Sequence, residues 1–351
     1  MIGGRAGGSR GRYRPPRYRA IVGRALWLLR DGPPRQGDSL SRAGRRALGL
    51  GRLNPVLPAL LGAAAISSSA IAVRLAGTPA GTTAFYRCLI ALPVLYPLAL
   101  LEGRNKPRRS WRLRLRSLVA GGFFGVDLFL WNHAIYAVGA GVATVLGNLQ
   151  VIFVTAAAWA VFNERPRRQF LFALPVVLSG VFFVSGLAGT EGPGYRPIAG
   201  VCYGLGTALS YAAFILILRK STAGSRYVAG PLADATAGGA LMALVLGLGF
   251  SELPFSVSSS ALGWLAFLAL VSQSFGWLLI TSALPRLPAA VASLLLLLQP
   301  TMSLVLAAVF LSERPSALQL FGAALVCVGV VLAARSRVED DPVTAPEPTP
   351  G

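Results

Sequence analysis

Charge is what this chain is short of. Of 351 residues only 13% are charged, about half the share of an ordinary soluble domain, so most of its surface is not built for water. Acidic residues number 13, histidine occurs once, and lysine is nearly absent beside arginine. That scarcity argues against a clustered metal site or a carboxylate-lined active centre, so no metal, no cofactor and no enzyme activity are expected. The arginine excess reads as GC-rich coding rather than function. Cys88, Cys202 and Cys327 stand apart inside apolar stretches, with no spacing that suggests disulfides or metal ligation. A Gly-rich phosphate loop and a repeated filter-like segment are both missing, which disfavours an ATP-driven pump and a channel. Near the amino terminus the only apolar stretch, Ala25 to Leu29, is too short for a secretory signal and runs into Arg30 and Asp31.

What the chain has instead is long apolar runs. Residues are 54% hydrophobic with a mean hydropathy of +0.62, and from Pro55 onward the apolar residues fall into blocks of roughly 20, enough to cross about 30 Å of hydrocarbon. The fold class is therefore all-α, a polytopic membrane protein. Ten spans are expected at 55–75, 80–101, 117–136, 139–162, 168–188, 197–218, 228–250, 261–284, 288–311 and 316–334. Turn formers separate several of them: Gly77-Thr78-Pro79, Gly139-Ala140-Gly141, Gly192-Pro193-Gly194 and Pro285 to Pro288. Residues 1–54 are rich in Gly, Pro and Arg without apolar periodicity and read as a disordered tail. A start near residue 50 is a rival reading; it needs a non-ATG codon, because the next methionine after Met1 is Met242.

The net charge of +20 points to anionic lipid rather than nucleic acid, because it lies in the amino-terminal tail and in short loops between spans. With the amino terminus inside, the cytoplasmic loops and the carboxyl-terminal tail carry sixteen basic residues, seven of them between Arg104 and Arg116. The external loops carry three: Arg74, Arg196 and Arg314. By the positive-inside rule both termini, including the tail 335–351, are cytoplasmic and the protein sits in the cell membrane.

Sliding the chain by 149 residues lays Ala140–Val181 on Ala289–Val330 with fifteen of 42 positions identical. Gln150 falls on Gln299, and Glu164-Arg165-Pro166 falls on Glu313-Arg314-Pro315. Low apolar complexity cannot place two charges and a proline in one frame. The chain thus divides into 55–188 and 197–334, five spans each. An odd span count inverts the second half relative to the first, an arrangement recurrent in secondary transporters.

With Ala84-Phe85-Tyr86-Arg87, the stretch from Gly141 to Asn163-Glu164-Arg165, and that from Ala290 through Gln299-Pro300 to Ser312-Glu313-Arg314, the sequence resembles the drug/metabolite transporter superfamily, in particular its EamA-type ten-helix members. The resemblance covers about residues 55–334. It implies export or exchange of small metabolites, often amino acids or their derivatives, driven by a proton or solute gradient. In one respect the chain departs from the family pattern: the proline kept at Pro300 is Val151 in the first repeat.

Ionisable groups at mid-bilayer depth are costly, and each is a functional hypothesis. Asp127 lies near the middle of the third span, with Trp131 one turn on and His133 and Tyr136 close by. Asp127 and His133 are the expected proton-coupling groups, against the alternative that Asp127 merely pairs with Arg87. Gln150 and Gln299 are symmetry-matched, and Asn148 and Gln273 lie at similar depth. Together with Tyr86, Arg87, Trp131 and Trp277 they are the expected cavity residues, suited to an apolar or aromatic substrate group. Tyr203 and Tyr211 are further aromatics within spans. Asp234 is expected near an interface, and the Glu164 and Glu313 turns read as structural. The partners implied are a small metabolite and lipid; a homodimer stays open. The rival functions are a membrane enzyme and an uptake permease.

Overall fold

In the computed structural model the described residues are 56–104, 107–150, 152–154, 156–157, 168–184, 195–222, 227–254, 256–283 and 289–335. The stretches 168–171 and 289–298 are described by backbone alone. The tail 1–54, Val151, the Glu164-Arg165-Pro166 turn, Gly192-Pro193-Gly194 and Pro285 to Pro288 lie outside them. Among the described residues there are helices and no strands. They are α1 Val56–Ser67, α2 Ser69–Ala76, α3 Ala80–Gly103, α4 Trp111–Val138, α5 Ala140–Gly147, α6 Arg168–Val184, α7 Pro197–Thr222, α8 Ala229–Gly249, α9 Ser259–Phe267, a π-helical segment Leu268–Gly276, α10 Trp277–Ala283, α11 Ala289–Phe310 and α12 Ala317–Arg335. Six spans among them are long and apolar enough to cross a bilayer: Val56–Ala76, α3, α4, α7, α8 and Ser259–Ala283. Four shorter apolar helices lie where the remaining expected spans fall. The protein is an all-α, multi-pass membrane protein.

Local chemistry explains most boundaries. Gly77 ends α2 with φ 59°, a left-handed conformation that glycine adopts at no steric cost. The helix α4 begins six residues before the expected span. Ser110 caps it by accepting from the Leu113 N–H, and Arg112, Arg114 and Arg116 lie on its first turns, where long cationic side chains reach the interface. Within the first span, Ser68 interrupts the helix. The hydroxyls of Ser67, Ser68 and Ser69 donate to the carbonyls of Ala63, Ala65 and Ile66, competition that weakens the local ladder.

Helix starts repeat the 149-residue offset: Ala80 and Ala229, Ala140 and Ala289, Arg168 and Ala317. Each of these helices packs against its own counterpart, α3 on α8, α5 on α11 and α6 on α12. Two of the pairs are tied end to end by carboxylates. Glu102, near the end of α3, accepts from the N–H groups of Val228, Ala229 and Gly230 at the start of α8. Glu252, just past α8, accepts from the Gly81 N–H at the start of α3 at 2.7 Å. Glu313, past α11, accepts from Ala140 and Gly141 at the start of α5. Counterpart helices therefore run antiparallel, as a two-fold axis in the membrane plane requires. Each carboxylate satisfies N–H groups that a helix start leaves unpaired, and complements the positive end of its dipole.

Packing between α4 and α8 relies on glycine. A methyl group at Gly121 would strike the backbone of Ala235, and one at Gly238 the backbone of Leu118. Small residues at such crossings let backbones approach in lipid, where no hydrophobic force draws helices together. Buried apolar side chains form two main clusters, one around Val73, Ile135, Leu146 and Val326, the other around Leu95, Phe124, Phe214 and Leu232.

Candidate functional site: a polar cavity between the halves

A cavity of about 100 Å³ opens in the middle of the bundle. Its walls come from α1 and α2 (Ser67, Ser69), α3 (Arg87), α4 (Phe124, Asp127, Trp131), the α5 region (Thr144, Asn148, Gln150), α7 (Thr207, Tyr211), α10 (Trp277) and α11 (Gln299). Trp131 packs on the first apolar cluster, whereas Phe124 and Trp277 belong to the second.

Of the residues expected here, Arg87, Asp127, Trp131, Asn148, Gln150, Trp277 and Gln299 line this cavity together. Tyr86 does not; one position before Arg87 it is turned about 100° around the helix and packs edge-on against Phe85. His133 does not either. Six residues past Asp127 is far from a whole number of turns, so it leaves that face. It stacks on Tyr203 with centroids 5.0 Å apart and pairs with Glu252 at 3.0 Å. Gln273 is also off the lining: it is 1% exposed and lies behind Arg87.

Arg87 and Asp127 are 4% and 5% exposed, and among the described residues no ion pair joins them. The Arg87 Nε donates to Gln273 Oε1 at 3.0 Å, while the guanidinium carbon lies 6.0 Å from the ring centres of both Phe124 and Trp131. That geometry attracts a cation to two ring faces without neutralising it. Phe124, Tyr211 and Trp277 form an aromatic wall backed by the buried Phe214, with centroids 4.7 to 6.1 Å apart among the four. Thr144, Asn148 and Gln150 add neutral hydrogen-bonding groups to the lining. Thr144 and Ser303 hydroxyls share a bond at 3.1 Å, the Asn148 amide donates to the Thr144 carbonyl, and Gln150 Oε1 is buried with no partner among the described residues. A guanidinium, a carboxyl group, an aromatic surface and an amide oxygen thus line one small space.

Sequence reasoning missed the residues that tie the halves together at the ends. Asp234, expected near an interface, is buried and paired with Arg109 at 2.6 Å, with Arg114 at 3.5 Å. Arg109 also donates to Ser117, which donates to Ser221. Glu102 and Glu252 were legible in principle. Ala80-Gly81 falls on Ala229-Gly230 in the repeat, and each glycine is followed 21 or 22 residues later by a glutamate.

A solved crystal structure, described only as that of a protein, superposes with a TM-score of 0.58, covering 82% of this chain and 98% of that one at 18% identity. At that identity the likeness speaks to the fold alone. No curated protein matches the chain. The model of the EamA-like transporter family matches twice, over residues 54–186 and 198–335. With two EamA repeats filling its membrane region, the chain belongs to the EamA-like transporter family of the drug/metabolite transporter superfamily and is a membrane transporter of that type.

Proposed function

We propose that the chain is a secondary transporter that exports or exchanges small zwitterionic metabolites bearing an apolar group, by alternating access through the central cavity. The supporting observation is the coexistence of Arg87 and Asp127 on one cavity without an ion pair between them. Two opposite charges left apart in a low-dielectric site are costly unless something else completes them. A carboxylate and an ammonium on one substrate supply both counter-charges, and the wall of Phe124, Tyr211 and Trp277 suits its apolar part. Asp127 is also the proton-coupling group in this reading, since a carboxylate changes charge on protonation; His133, off the cavity, is not needed for it. About 100 Å³ holds only a few waters, so a metabolite enters as the halves rock apart. The distribution of arginines supports placement in the cell membrane with both termini cytoplasmic.

The test is transport into proteoliposomes of L-phenylalanine, its amide, which lacks the carboxylate, and 3-phenylpropanoate, which lacks the ammonium. The zwitterion should be carried at least tenfold better than either analogue. Arg87→Gln should erase discrimination against the amide, and Asp127→Asn should erase discrimination against the phenylpropanoate. Equal handling of all three by the unmodified protein, or no transport of any, rejects the reading.

A further inference from the structure

From the geometry we infer that Gln273 is a positioning residue that sets the charge specificity of the cavity: it holds Arg87 in place while leaving its positive charge free for the substrate. The inference rests on the proposed reading of the cavity and adds to it the residue that makes Arg87 selective.

Gln273 is 1% exposed and touches no open space, so it acts only through its neighbours. Its Oε1 accepts from the Arg87 Nε at 3.0 Å, and its Nε2 donates to the Thr236 hydroxyl at 3.2 Å. The first bond fixes which end of the amide faces arginine, because a guanidinium can only donate and so takes the carbonyl oxygen, leaving the NH₂ for the Thr236 hydroxyl, which accepts. With Nε held from behind and Arg87 on the cavity lining, the two terminal nitrogens of the fork are left for a carboxylate, which an arginine can take bidentately. A glutamate here would hold Arg87 equally well but cancel its charge. A neutral amide orients without neutralising.

The backbone is arranged for this contact. Gln273 lies within the π-helical segment Leu268–Gly276, whose counterpart in the first half is the regular helix α4. Widened turns of this kind cost stability and concentrate at functional sites, where they re-aim side chains. Here the segment is packed against the broken first span, with Ser272 donating to the Ala65 carbonyl at 2.8 Å. Thr236 lies 149 positions after Arg87, so inverted symmetry brings an arginine and its own counterpart to one glutamine.

The experiment compares phenylalanine with phenylalaninamide in proteoliposomes for the unmodified protein, Gln273→Met and Gln273→Glu. The near-isosteric Gln273→Met keeps the packing and removes the acceptor. The preference for the carboxylate should fall about tenfold, through KM rather than maximal rate. Gln273→Glu should abolish or invert the preference, because the paired Arg87 no longer seeks an anion. Thermal unfolding of each purified variant separates misfolding from altered recognition; should Gln273→Met fail to fold, Gln273→Glu and Thr236→Val carry the comparison. An unchanged carboxylate-to-amide ratio in folded variants overturns this role while leaving the cavity reading intact. No discrimination by the unmodified protein overturns both.

Discussion

The two ends of the bundle are fastened by different chemistry. At the end bearing the arginine-rich loop, Arg109 and Asp234 form a pair with side chains 9% and 5% exposed, backed by the threefold cap from Glu102. At the other end Glu252 caps α3 through Gly81 and pairs with His133, with side chains 20% and 25% exposed, while Glu313 caps α5. One end carries an arginine–aspartate pair hidden from water. The other carries a histidine–glutamate pair in a wetter setting. In the proposed alternating-access cycle, the two ends differ in what each has to break.

Removing one charge from the buried pair should have the largest effect. Asp234→Asn leaves Arg109, whose Nε has no partner among the described residues, as an uncompensated buried cation, a loss of about 3–5 kcal/mol. Thermal unfolding in detergent should show it plainly, and adding Arg109→Gln should recover most of it. A double variant no more stable than Asp234→Asn would mean that the pair is not what holds this end. Next comes Glu102→Ala, which strips the cap from three N–H groups of α8 and should cost roughly 1–2 kcal/mol. Faster hydrogen exchange confined to residues 228–232 would be its signature; uniform exchange along the bundle would contradict a local cap. The smallest effect belongs to His133→Phe. This partly exposed pair should contribute roughly 0.5 kcal/mol, diminishing with added salt. A loss as large as that of Asp234→Asn would erase the contrast between the ends.

Much of the fold was legible in the residues because the solvent is uniform. A hydrocarbon slab imposes one length on every span, so apolar runs and turn formers marked helix ends within a few residues wherever these are described. The start of α4 escaped because arginines at an interface look like loop. Mid-span polar residues at one register identified Asp127, Trp131, Gln150 and Gln299, whose depth follows from counting. Contacts over long separations did not follow from counting. The carboxylates of Glu102, Glu252 and Glu313 find partners between 126 and 173 positions away, and an interfacial glutamate gives no local sign of which helix it caps. Gln273 is expected in the lining from its depth alone, whereas the structure holds it buried behind Arg87, bonded to Nε.

Reciprocal capping has a consequence for how the molecule is made. The start of α3 is completed by Glu252 and the start of α5 by Glu313, both contributed by the later-synthesised half. Until the second half is made, α3 and α5 stand without the carboxylates that cap their starts. The half made first is therefore completed only by the half made second, which supplies both of these caps.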